Sequence, residues 1–65
     1  MRFLSKRQVR DLISLSFTQI DRLESTGNFP KRLRLTEGRV VWVETEILEW
    51  MRKRLAEREP IRLAS

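Results

Sequence analysis

Two segments, Ser5-Lys6-Arg7-Gln8 and Ser16-Phe17-Thr18-Gln19, share the pattern S-x-x-Q and begin eleven residues apart. In such a box the serine hydroxyl accepts from the backbone N–H three residues on, and the glutamine reaches back to the serine N–H. Each box therefore marks a helix start. The spacing leaves room for one short helix and a tight turn, so it predicts helices over 6–13 and 17–25 joined through Ser14-Leu15-Ser16. In a small chain two helices joined so closely form a helix-turn-helix.

The apolar residues agree with that reading. Val9, Leu12 and Ile13 fall at i, i+3 and i+4 on one face of the first helix. Leu4, just before the Ser5 cap, is placed to staple against Val9. Leu15 is expected to point inward between the helices, and Phe17, Ile20 and Leu23 to form the inner face of the second. Gly27 is placed to end that helix in the left-handed conformation. Pro30 forbids continuation and biases Phe29 to extended backbone.

A change of period follows. Arg32-Leu33-Arg34-Leu35 alternates, which predicts leucines toward the core and arginines toward solvent. Thr36-Glu37-Gly38-Arg39 reads as a tight turn with Gly38 at positive φ. Val40-Val41-Trp42-Val43 is strongly β-prone. These make a two-stranded hairpin, which is marginal alone and must pack on the helices. A last helix begins near Glu44 or Thr45, with Glu44 and Glu46 where the helix dipole favours anions. Ile47, Trp50, Met51 and Leu55 form its expected buried stripe, and Pro60 stops it. The expected fold class is α+β, mostly α: a winged helix-turn-helix over residues 1–58 with a flexible tail over 59–65.

Composition narrows the function. The chain has 65 residues, 14 Lys+Arg against 9 Asp+Glu, and a net charge of +5. Eleven of the cations are arginine, whose planar fork pairs bidentately with phosphate or guanine. There is no cysteine and no histidine, which excludes a disulfide and argues against a metal site. No cofactor is expected. No glycine-rich phosphate loop or nucleophile–base arrangement is present, so an enzyme is not expected. The longest apolar run, Val40 to Val43, is far short of a membrane span, and the charged N-terminus argues against a secretory signal.

The order of elements, with these residues, resembles the AlpA-like phage and prophage regulators, within the MerR-like winged-helix group that includes many excisionases. The resemblance covers roughly residues 3–58. It rests on Leu4-Ser5-Lys6-Arg7-Gln8-Val9; Leu15-Ser16 with Ile20, Arg22 and Leu23; Gly27-Asn28-Phe29-Pro30-Lys31; and Trp42-Val43-Glu44-Thr45-Glu46-Ile47 with Trp50. Most specific is G-x-F-P followed by W-x-E-x-E-hydrophobic-x-x-W. The resemblance implies that the second helix enters the major groove of DNA while the hairpin wing touches the adjacent minor groove or backbone. It also implies either a recombination directionality factor that bends DNA or a transcriptional regulator of an integrase or prophage gene. Two departures stand out. Asp21 occupies a place where the family often has an aromatic residue, and Thr36-Glu37-Gly38-Arg39 replaces a Gly-Gly-Arg tip.

Candidate binding residues follow from position. With its apolar residues inward, the second helix offers Ser16, Thr18, Gln19 and Arg22 near its N-terminal half, the part a recognition helix presents to base edges. Gln19 suits adenine and Arg22 suits guanine. The competing roles are completion of the cap for Gln19 and pairing with Asp21 or Glu24 for Arg22. Lys6 and Arg7 are candidates for gripping backbone, or form a solvated cationic turn. Lys31, Arg32, Arg34 and Arg39 belong to the wing, where they contact DNA or blunt an exposed sheet edge. Trp42 and Trp50 are assigned to the core rather than to base stacking.

The expected partner is double-stranded DNA. Self-association on adjacent sites is expected too, because a single module buries only roughly 600–1,000 Å². An integrase is a further partner the resemblance admits, and the expected location is cytoplasmic, on the nucleoid. A small basic adaptor for an acidic protein is the alternative from a different class.

Overall fold

A computed structural model describes residues 1–58. The elements run β1 (Phe3–Ser5), α1 (Lys6–Ile13), α2 (Phe17–Ser25), β2 (Leu33–Thr36), β3 (Arg39–Val43) and α3 (Glu44–Ala56). The strands form one antiparallel sheet in the order β1-β3-β2. The fold is the expected one, α+β, mostly helical and consistent with a winged helix-turn-helix. The tail expected over 59–65 and the stop at Pro60 lie outside the described residues.

Both capping boxes are formed. The Gln8 N–H donates to Ser5 Oγ at 3.2 Å, and the Ser5 N–H donates to Gln8 Oε1 at 2.8 Å. The second box has the same pairing between Ser16 and Gln19, at 3.2 and 3.0 Å. Between them Ser14 takes the left-handed conformation at φ 60°, and its N–H returns to Arg10 O at 2.8 Å. That residue turns the chain from α1 into α2. Gly27 has φ 79° and completes a Schellman end: its N–H donates to Glu24 O and the Asn28 N–H to Leu23 O.

The core is small. Leu4, Val9, Ile20, Phe29, Trp42 and Ile47 are buried together, with Ile13, Leu15, Leu23, Trp50 and Met51 packed against them. Leu4 and Val9 sit at N′ and N4 of α1, so the staple exists. Phe29 is central. Its ring meets Trp42 edge-on at 6.5 Å and Trp50 at 4.8 Å. Trp42 Nε1 donates to Pro30 O at 3.0 Å and Trp50 Nε1 to Asn28 O at 2.7 Å. The G-x-F-P turn thus inserts one aromatic ring and holds an indole with a carbonyl on each side of it.

Several expectations are corrected. The sheet has a third strand, β1, paired with β3 through Phe3↔Val43, Leu4↔Trp42 and Ser5↔Val41. The residue before it also caps the start of α3: Val43 offers no side-chain cap, and the Glu44 N–H donates to Arg2 O at 2.8 Å. The wing faces the other way from the expected arrangement. Leu33 and Leu35 are 42% and 47% exposed, whereas Arg32 is partly buried against Trp42. Leu33 pairs with Val41, so it shares the sheet face turned away from Leu4 and Trp42. The inversion has a cause in α2, whose carboxylates draw the Arg32 head inward. Gly38 does not take positive φ. Instead the register slips by one residue between Arg34 and Thr36, and the extra residue supplies the bend. Phe17 is exposed rather than inward, with Lys6 Nζ 5.0 Å and the Arg10 guanidinium carbon 4.9 Å from its ring centre. Leu55 is exposed, one turn past the last residue of α3 packed on the core.

Candidate nucleic-acid interface

The α2 helix buries Ile20, half-buries Leu23, and turns Thr18, Gln19, Asp21 and Arg22 to solvent. Thr18 precedes Asp21 by three residues and Arg22 by four, so these three share one face. Among the described residues Arg22 makes no ion pair. The expected competition from Asp21 or Glu24 is absent, because those carboxylates are engaged elsewhere. Ser16 and Gln19 complete the cap. Gln19 uses its Oε1 for this, which leaves its amide nitrogen uncommitted among the described residues.

The remaining candidates separate into two groups. Arg7, Lys31, Arg34 and Arg39 are exposed and make no ion pair among the described residues. Lys6 and Arg32 are tied to α2. Arg32 donates from Nε to Glu24 Oε1 and from its backbone N–H to Glu24 Oε2, both at 2.8 Å, and from its guanidinium NH2 to Asp21 Oδ1. Its guanidinium lies over Trp42 at 5.0 Å. Lys6 Nζ is 3.4 Å from the same Asp21 oxygen. Arg34 lies two residues beyond Arg32 on the same face of the ribbon, paired across to Val40.

The charges respond to this arrangement. The hydrogen bond from Arg32, aided by the nearby Lys6, holds the Asp21 carboxyl below its ordinary value of 3.8. Partial burial would lower the Arg32 pKa, but its bonds to Asp21 and Glu24 outweigh that and raise it. This network ties the base of the wing to α2 and the start of α1. Sequence reasoning missed it because the pairs span eight and eleven residues and α2 gives no sign of which side its carboxylates face. The available signal was the pair Asp21 and Glu24, two anions on an otherwise basic helix-turn-helix.

The family described as Prophage CP4-57 regulatory protein (AlpA) matches residues 2–55, nearly all of the described chain. The chain belongs to the AlpA family. That family is regulatory rather than enzymatic. A protein of Enterobacteria phage P4, described as uncharacterized protein ORF88, is 36% identical over 58 residues; the match takes in 89% of this chain and 66% of that protein. The chain therefore spans just under two thirds of that relative's length. AlpA membership agrees with the resemblance carried by the G-x-F-P turn and the two tryptophans. Among the described residues no helix is long and apolar enough to cross a membrane.

Proposed function

We propose that the protein is a sequence-specific, double-stranded DNA-binding regulator of a mobile element. In this reading α2 lies in the major groove, and the β2–β3 ribbon is the wing over adjacent backbone or minor groove. The observation that carries it is the exposed face of α2. Thr18 and Gln19 stand in its first turn, Arg22 follows one turn after Thr18 on the same face, and Arg22 has no ion-pair partner among the described residues. Arg22 pairs bidentately with guanine, and the free Gln19 amide nitrogen donates to a base acceptor. Ser16 supports this face through its cap. Arg7, Lys31, Arg34 and Arg39 meet phosphates, which position the protein without reading sequence.

Two tasks share that surface. One is directionality in excision, by cooperative binding on adjacent sites and bending of attachment-site DNA, with an integrase as partner. The other is control of an integrase or prophage gene, which the family's description as regulatory favours. Both place the protein on DNA in the cytoplasm.

The test is a titration of labelled duplexes from the DNA flanking its own gene, with random competitor, at two salt concentrations. Discrete complexes that resist competitor are the expected result. Binding that vanishes with competitor or modest salt overturns the reading and favours an acidic protein partner. Circularly permuted duplexes then report bending, and integrase-dependent excision against a promoter reporter separates the two tasks.

A further inference from the structure

Two cations from different segments converge on a single oxygen of α2. Lys6, from the first turn of α1, and Arg32, from the approach to the wing, both reach Asp21 Oδ1. Asp21 is half exposed and shares its helix face with Thr18 and Arg22. A carboxylate there repels the backbone of any DNA that α2 docks against, so its presence calls for a reason beyond holding the fold.

Glu24 supplies the contrast. Its side chain is only 18% exposed, against 50% for Asp21. It binds both the Arg32 backbone N–H and Nε, so Arg32 stays in place without Asp21. The second nitrogen of the fork and the Lys6 ammonium are then left facing a solvent-accessible anion. Exposed pairs of that kind add little stability.

We propose that Asp21 is an internal stand-in for a DNA phosphate. Its carboxylate occupies a seat formed by Lys6 and Arg32, and the DNA backbone takes that seat when the protein docks. The inference rests on the DNA-binding reading above. Phosphate contacts supply the sequence-independent part of binding. A carboxylate that must be displaced lowers that part for every duplex, so the protein leaves random DNA more readily and base contacts decide where it stays.

The test is Asp21→Asn, which keeps an oxygen acceptor for Arg32 and removes the charge. Affinity for cognate and random duplexes should rise together, about tenfold at low salt. The plot of log affinity against log salt should steepen by about one unit. Unchanged or weaker binding to both duplexes overturns the inference and makes Asp21 a strut. Weaker binding to the cognate duplex alone overturns it too, and makes Asp21 a reader of bases. Should Asp21→Asn fail to fold, Lys6→Gln decides: the salt slope should become shallower by about one unit, and an unchanged slope overturns the seat. If the wild-type protein binds no duplex, the DNA-binding reading fails and the seat fails with it.

Discussion

Arg32 is bound twice to Glu24, from its backbone N–H and from its side-chain Nε, each at 2.8 Å. One carboxylate eight residues upstream thus fixes both the chain and the guanidinium of the residue that leads into the wing. The third bond, to Asp21, and the stack over Trp42 complete the joint. The position of β2 relative to α2 depends on this residue.

Arg32→Ala should therefore destabilise the fold by about 2 kcal/mol, since hydrogen bonds to charged groups contribute roughly 1.5–3 and Glu24 keeps one partner. In a domain this small the midpoint of thermal unfolding should fall by roughly 8–16 °C. Arg32→Lys should restore little, because an ammonium cannot reach two carboxylates and lie over an indole in the same geometry. Thermal melts of the two variants check this; full recovery by lysine would show that charge alone holds the joint.

Acid should loosen the same joint. The Asp21 carboxyl is held below 3.8 in the folded protein, first by the Arg32 hydrogen bond. A lowered folded value means the stabilisation is fully present above the unfolded value and disappears as the pH falls through the folded one. Stability should thus decline below about pH 3.8, and Asp21→Asn should remove part of that decline. Urea midpoints measured from pH 5 downward in both proteins test it. Parallel curves would mean that Asp21 adds nothing to folding.

Two positive-φ residues make opposite predictions. Ser14 holds φ 60° with a side chain that disfavours it, and Ser14→Gly should stabilise the protein by about 1 kcal/mol. Gly27 holds φ 79° with open space where a Cβ would stand, so Gly27→Ala should cost about 1 kcal/mol from backbone conformation alone. Denaturant titrations give both signs. Stabilisation by Gly27→Ala would contradict the Schellman end.

The role proposed for Arg34 is a phosphate contact. Arg34→Ala should weaken binding to every duplex similarly and reduce the salt slope by about one unit. Slopes measured over several salt concentrations would remove Arg34 from the interface if they did not change.

Much of the fold was legible because its signals are local. The two S-x-x-Q boxes, the Gly27 end and the staple of Leu4 on Val9 each involve residues at most five apart, so spacing alone placed α1 and α2. The G-x-F-P turn and the two tryptophans were legible as a pattern, and Phe29 between the indoles explains why they occur together. What was not legible depends on distant partners. The strand β1 is three residues long, too short for any period to show, and exists because β3 pairs with it. The alternation of Arg32 to Leu35 was visible, but its facing was not. Period two is silent about which face meets the core, and here two carboxylates of α2 decided the matter. The same distant pairing hid the split of the cations into Lys6 and Arg32, bound to α2, and Arg7, Lys31, Arg34 and Arg39, which are not.

The proposed reading of base edges by α2 depends above all on Arg22. Affinities of wild type and Arg22→Ala should be measured on the cognate duplex, on single-base variants of it and on random DNA. A base-reading Arg22 gives a loss of about 1–3 kcal/mol on the cognate duplex, relaxed preference at one base pair, and a much smaller change on random DNA. An equal loss on cognate and random DNA would contradict it, because Arg22 would then contact only the backbone.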